Sequence, residues 1–334
     1  MDLNINNIRK LNNSIARIAV VIPCYKVTSH IMHVLDRVGH EVAAIYVVDD
    51  FCPEGSGNYV FANCKDHRVK VIFHSKNMGV GGAVMTGYKI AINEGAHIIV
   101  KIDGDGQMDP ALLPSFIAPI VLGSADYTKG NRFFDLSDVV GMPKIRIFGN
   151  AILSFLTKFS SGYWDIFDPT NGFTAIHSSI ASKIPFEKIS KRYFFESDML
   201  FRLNTLRAVV IDIPMASKYG DEVSNLKISK ITFEFLINNF KNFFKRIFYN
   251  YYLRDMSLAS LELPLGLALF IFGIVFGSSN WLSSAAYDIA TPAGTVMLAA
   301  LPTLMGMQLI LAFFAYDINM IPRYPRSTLM GQIN

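Results

Sequence analysis

Short apolar runs alternate with stretches of helical length through the first part of the chain. The runs are residues 17–22, 42–48, 69–73 and 96–102, all rich in Val and Ile, and the helical stretches lie near 29–38, 57–64, 80–94 and 110–120. Strands buried on both faces read as unbroken apolar runs, and parallel neighbours need a crossover between them. The alternation therefore predicts an α/β domain, Rossmann-like, with a mostly parallel sheet covered on both sides. Ligands of such sheets bind beyond the carboxyl ends of the strands.

The C-terminal region has a different pattern. From 258 to 277 only Glu262 is charged, and from 292 to 316 nothing is. Each segment reaches the roughly 20 residues that a helix needs to cross about 30 Å of hydrocarbon, so two transmembrane helices are predicted. Buried core helices rarely run so far without charge. Lys241, Lys245, Arg246 and Arg254 precede the first span, Arg323 and Arg326 follow the second, and the connector around Trp281 and Asp288 has no Lys or Arg. By the positive-inside rule both termini, and the α/β domain with them, are expected in the cytoplasm of an integral membrane protein. Between domain and spans, Phe233, Ile237, Phe240, Phe244, Ile247 or Phe248, and Tyr251 recur at helical spacing. Glu234, Asn238, Lys241, Asn242 and Lys245 occupy much of the other side. One or two amphipathic helices in the membrane interface have this pattern. A helix packed on the domain would bury the same stripe. The expected division is 1–228, 229–257 and 258–334.

Composition sharpens this picture. Hydrophobic residues make up 51% and charged residues 17%, against roughly 25% charged in an average globular chain. A net charge of +4 with scattered basic residues gives no concentrated stripe, so no nucleic-acid partner is expected. Cys24, Cys52 and Cys64 form no Cys-x-x-Cys pair and suit free thiols in a reducing compartment. The polar stretch before Arg17 has no apolar segment typical of a cleaved signal peptide.

Candidate chemistry follows each run. After the first comes Pro23-Cys24-Tyr25-Lys26, and after the second Asp49-Asp50-Phe51. After the third comes Asn77-Met78-Gly79-Val80-Gly81, and after the fourth Asp103-Gly104-Asp105-Gly106-Gln107. Carboxylates two apart at a strand end can turn toward one ion, and hard oxygen ligands suit Mg²⁺ or Mn²⁺ bridging a diphosphate. Asp-Gly is also an ordinary turn signal, and the glycine segment lacks the Gly-Lys-Ser/Thr ending of a phosphate loop.

The order of these elements is more specific than any one of them. Pro23-x-Tyr25, Val48-Asp49-Asp50, Asn77-x-Gly79-x-Gly81 and Asp103-x-Asp105-x-Gln107-x-Asp109-Pro110 together resemble the N-terminal half of family 2 glycosyltransferases of the GT-A fold. The resemblance covers residues 17–228. The two spans extend it to the membrane-anchored polyprenyl-phosphate glycosyltransferases, of the dolichol-phosphate mannose synthase and bactoprenol glucosyltransferase type. It implies that Pro23, Tyr25, Asp50, Asn77, Gly79 and Asp103 bind the nucleotide. Asp103 and Asp105 would meet the metal and diphosphate, with Gln107 completing the ligands. Lys129-Gly130-Asn131-Arg132-Phe133 is similar to the family's basic element after the next strand. Asp168-x-x-Asn171-Gly172-Phe173 and Phe195-Glu196-Ser197-Asp198 look like its acceptor-side segments. Val27 stands where a Glu commonly ends the first motif, and Met108 where a His often follows the Gln. The stretch 218–227 lacks the arginine of many relatives, leaving Lys218 or Lys227 in its place.

The implied activity is inverting transfer of a hexose from a UDP- or GDP-linked sugar to a polyprenyl phosphate at the cytoplasmic membrane face. A phosphate monoester has a second pKa of about 6 and is already an anionic nucleophile, so no strong base is required. Catalysis would rest on a divalent metal at Asp105, on Lys129 and Arg132 holding the acceptor phosphate, and on alignment. A sugar-hydroxyl acceptor would instead need Glu196 or Asp198 as base. Those two carboxylates also suit a helix N-terminus, and Lys129 with Arg132 a solvated surface pair. A catalytically silent nucleotide-binding membrane scaffold is a third reading, and a homo-oligomer is compatible with the sequence.

Overall fold

The four apolar runs are strands β1 (Ile18–Cys24), β2 (Val42–Asp49), β3 (Val69–Phe73) and β4 (Ile98–Lys101) of a computed structural model in which residues 16–134, 144–216 and 228–331 are described. With β5 (Tyr127–Asn131), β6 (Thr174–His177) and β7 (Val210–Pro214) they form a seven-stranded sheet in the order β3-β2-β1-β4-β6-β5-β7. The pairs β1–β2, β2–β3, β1–β4 and β5–β7 are parallel, while β6 runs antiparallel to β4 and β5. Ile18 sits opposite both Val42 and Ile98, Cys24 opposite Asp49 and Val21 opposite Lys101, so β1, β2 and β4 run side by side toward one edge, with β4 ending first.

Helices α1 (Ile31–Asp36), α2 (Ser56–Asn63), α3 (Val80–Asn93) and α4 (Leu113–Val121) follow the strands in turn. Val20, Ile22, Ile45, Val47, Val100 and Ile102 form the core between them, where Phe116 and Phe173 stack at 3.8 Å. Each buried side chain of this size contributes roughly 1.5–3 kcal/mol. The Asp109 carboxylate accepts the Ala111 N–H at 3.0 Å and so caps the Pro110 turn that leads into α4.

The remaining helices are α5 (Lys144–Ser161), α6 (Ser178–Ala181), α7 (Phe195–Thr205), α8 (Ile228–Phe248), α9 (Ala259–Ala286), α10 (Ala293–Asn319) and α11 (Arg326–Gly331). The chain divides into two units, one running to Phe243 and including the tail from Pro322, the other Phe244–Ile321.

In the first unit α8 buries Phe235, Asn239 and Asn242 and exposes Phe233 and Phe240. Asn239 accepts the Ser160 hydroxyl at 2.5 Å, and Asn242 donates to Asp198 at 2.9 Å. Asn242 therefore faces protein, not the outer polar side that the sequence pattern suggested. The helix packs on its domain with one face and presents aromatics with another, as an interfacial helix does. Phe148, Ile152 and Phe155 of α5 are exposed as well. The tail is tied in at the fully buried Asp126, which accepts the Arg326 and Ser327 N–H groups, each at 2.8 Å, and the Ser327 hydroxyl at 2.6 Å.

The second unit contains α9 and α10, whose most apolar windows have mean hydropathies of 2.1 and 2.0 and are only 22% and 11% buried. A soluble core helix of that composition would be mostly buried, and these two have the length and apolar composition needed to cross a membrane. Helix α9 continues to Ala286, past the predicted end at 277, and takes in Trp281. Asn280 and Ser283 there bond back to the carbonyls of Phe276 and Ser279, at 2.9 and 3.0 Å. A Cβ at Gly306 would strike the Phe270 backbone, so glycine permits the close helix contact typical of membrane pairs. Arg246 is fully buried and forks onto Asp317 at 2.6 and 2.9 Å, and the Tyr251 hydroxyl donates to the same carboxylate.

Candidate active site

Beyond the ends of β1, β2 and β4 lies a cavity of about 1000 Å³. Pro23, Tyr25, Asp50, Asn77, Gly79, Asp103, Asp105 and Glu196 all line it. The non-glycine residues Lys26 and Phe51 take φ values of +57° just after β1 and β2. Such positions cost energy and cluster at functional loops.

On one wall Asp50 is buried and fully used. Its Oδ1 accepts the Met78 N–H at 2.7 Å and lies 2.8 Å from His74 Nδ1, and its Oδ2 accepts the Gly79 N–H at 2.7 Å. Asp50 thus pins the Asn77–Gly79 turn beneath the cavity. That turn needs glycine, because Gly79 has φ +84° and a Cβ would collide with the Lys191 carbonyl.

Across the cavity, Lys101 ends β4 with its side chain 1% exposed and Nζ 2.9 Å from Asp103 and 3.2 Å from Glu196. Burial opposes its charge, but the two carboxylates outweigh burial and hold Lys101 protonated well above the usual lysine range. Burial pushes Glu196 up, more than Lys101 pulls it down. The Asp105 Oδ1 accepts the Gln107 N–H at 3.0 Å. Asp103 and Asp105 bring hard oxygens to the same wall, and that donor chemistry fits a divalent cation. Gln107 is half-buried and outside the cavity wall, and among the described residues no group of three or more His, Cys, Asp or Glu side chains is placed to hold a metal ion.

The basic element is divided by the fold. Lys129 lies within β5, not after it, and is buried. Its Nζ donates to Asp212 at 2.9 Å, to the Gly130 carbonyl at 3.1 Å and to the Phe167 carbonyl. It does not reach the cavity, because a strand side chain in the covered sheet points into the core. Arg132 follows the strand and forks onto Asp168 with two bonds of 2.7 Å. Asn171 donates to the same carboxylate at 3.2 Å. Asp198 is also turned inward, accepting the Ser190 N–H and Asn242 at 2.9 Å each. Of the two base candidates only Glu196 faces the cavity. Lys218 and Lys227 lie outside the described residues.

Burial would raise the Asp168 carboxyl, but the Arg132 guanidinium outweighs burial and holds it below the usual range. A depressed folded pKa means that the pair stabilises fully above the unfolded value of about 3.9 and loses this as pH falls through the folded value. Asp168→Asn is therefore expected to be less stable than wild type at pH 7, with the gap narrowing toward pH 3. Urea midpoints in detergent across that range check it, and a constant gap would contradict it.

Several cavity residues went unremarked in the sequence. Arg192, Tyr193, Thr170, Leu153 and Phe235 line it, and Lys101 and His74 support it from behind. Lys101 had a signal: a lone charge inside the apolar run Ile98-Ile99-Val100-Lys101-Ile102 requires a buried partner. Arg192 sits in a mixed polar stretch with no such mark.

Residues 19–184 match the family model described as glycosyl transferase family 2. The chain is 29% identical over 222 residues to a UDP-N-acetylglucosamine–dolichyl-phosphate N-acetylglucosaminyltransferase of Methanococcus voltae, covering 61% of this chain and 86% of the relative. It is 27% identical over 203 residues to an undecaprenyl-phosphate mannosyltransferase of Micrococcus luteus, covering 60% and 82%. Glucosyl-3-phosphoglycerate synthase of Mycobacterium tuberculosis, solved with Mn²⁺, UDP and glucosyl-3-phosphoglycerate, shares the fold with a TM-score of 0.54. It is 14% identical, over 74% of this chain and 85% of that one.

Proposed function

Because the chain belongs to glycosyl transferase family 2, we propose that it moves a hexose, with inversion, from a nucleoside diphosphate sugar to a polyprenyl phosphate at the cytoplasmic membrane face. The observation that carries this reading is the single cavity in which Pro23, Tyr25 and the Asn77–Gly79 turn meet Asp103 and Asp105. The acceptors named for the Methanococcus and Micrococcus relatives support the lipid phosphate. So do α9, α10 and the exposed aromatics of α5 and α8.

In this reading Pro23 and Tyr25 hold the nucleoside, while Asp50 fixes the turn beneath it. Asp103 and Asp105 hold Mg²⁺ or Mn²⁺, which when bound offsets the charge of the leaving diphosphate. Arg132, held flat by Asp168, receives the acceptor phosphate. Residues 1–228 perform the chemistry, 229–257 lie in the interface, and 258–334 anchor the chain with both termini in the cytoplasm.

Glu196 favours a second reading, because a cavity-facing carboxyl with a raised pKa is suited to general-base work on a hydroxyl acceptor. The deciding experiment incubates the purified full chain with polyprenyl phosphate and labelled UDP- and GDP-sugars, followed by mass analysis of the lipid. A sugar-phosphoryl-prenol is expected. Label on a hydroxyl acceptor alone would overturn the reading. Glu196→Gln is expected to cost at most about tenfold in rate, the value of about one hydrogen bond. A true base would cost about 10²–10⁴.

A further inference from the structure

Carboxylates crowd the cavity wall, and Lys101 behind it pairs with two of them. Asp50, Asp103, Asp105 and Glu196 all line it, and Arg192 is the one cationic side chain among its described lining residues. A divalent cation would offset about two of these charges, leaving a nucleoside diphosphate without an organic counter-charge on the wall.

The position of Arg192 is built into the fold. The Lys191 carbonyl accepts the Gly81 N–H at 3.0 Å, and the Arg192 carbonyl accepts the Phe195 N–H at 2.9 Å. The Arg192 Cγ lies 3.1 Å from where a Cβ of Gly79 would stand. Its backbone is therefore clamped between the glycine turn and the start of α7, which carries Glu196. The side chain is exposed and forms no ion pair with any described residue, unlike Lys101 and Lys129, which are both buried and paired with carboxylates. A guanidinium offers parallel N–H donors matched to phosphate oxygens, which a lysine cannot reproduce.

We propose that Arg192 binds the phosphate oxygens of the donor's diphosphate. The inference rests on the nucleotide-sugar reading above. It assigns the donor's charge to a segment that the sequence motifs passed over.

The test measures binding of UDP, GDP, uridine and guanosine to the full chain in detergent with Mg²⁺, for wild type, Arg192→Ala and Arg192→Lys. Thermal midpoints serve as the check on folding. Arg192→Ala is expected to weaken the preferred diphosphate at least tenfold, leave its nucleoside unchanged, and raise KM for the sugar donor but not for the lipid phosphate. Arg192→Lys should recover part of the loss. Unchanged diphosphate affinity in a folded Arg192→Ala protein would overturn the inference alone. An effect confined to the KM of polyprenyl phosphate would also overturn it, by moving Arg192 to the acceptor. Absence of nucleotide binding by wild type would overturn the donor reading itself, and this inference with it.

Discussion

Asp105→Asn is expected to lower turnover at least about 100-fold while leaving the protein folded. The effect follows from removing one of two carboxylates that would hold the cation opposite the leaving diphosphate, since a main electrostatic stabiliser contributes about 10²–10³ in rate. Folding should survive because Asp105 Oδ1 accepts the Gln107 N–H, a bond that an Asn carbonyl can keep. Nucleoside binding should survive too, since Pro23 and Tyr25 are untouched. A chelator should imitate the variant on wild-type protein, and Mg²⁺ or Mn²⁺ should reverse it. Near-normal turnover in metal-free buffer would refute the assignment. Asp103 is a less clean probe, because its carboxylate also neutralises Lys101 at 2.9 Å.

Lys101→Met should destabilise the protein by about 3–5 kcal/mol, the usual consequence of leaving a buried charge without its partner. Lys101 faces Asp103 and Glu196, and Glu196 has little access to water. The double variant Lys101→Met, Glu196→Gln should recover much of the loss, since removing both charges of a buried pair is close to neutral. The single variant should also gain relative stability in acid. A carboxyl whose folded pKa is raised contributes stability below its unfolded value and loses it as pH rises through the folded value, and the loss of Lys101 raises Glu196 further. Urea midpoints at pH 5 and pH 8 would show this. A single variant as stable as wild type, or a double variant no better than the single, would contradict the account.

The N-terminal half was legible because its signals are local. The predicted runs 17–22, 42–48, 69–73 and 96–102 agree with β1 to β4 to within two residues at every end, since a strand covered on both faces must be apolar throughout. Their motifs then had to meet, because β1, β2 and β4 are parallel neighbours and their carboxyl ends share an edge. The apolar spans were equally local.

The far half of the sheet carries no such pattern. Strand β5 reads Tyr-Thr-Lys-Gly-Asn, and its Lys129 looks like a surface cation until β7 pairs beside it with Asp212 in register. Asp198 looks like a base until Asn242 from α8 meets it, and Asp126 has no visible role until Ser327, 201 residues later, closes on it.

By itself the sequence determined the layered sheet, the order of its strand-end motifs and the apolar spans, because burial of apolar surface imposes a period on neighbouring residues. Which charges face the cavity and which vanish into the core was decided by the tertiary structure alone. A charge is buried only where an opposite charge or a set of hydrogen-bond partners meets it, and for Lys129, Asp198 and Asp126 those partners come from distant segments. Among the described residues Arg192 has no ion-pair partner, and it lines the cavity wall.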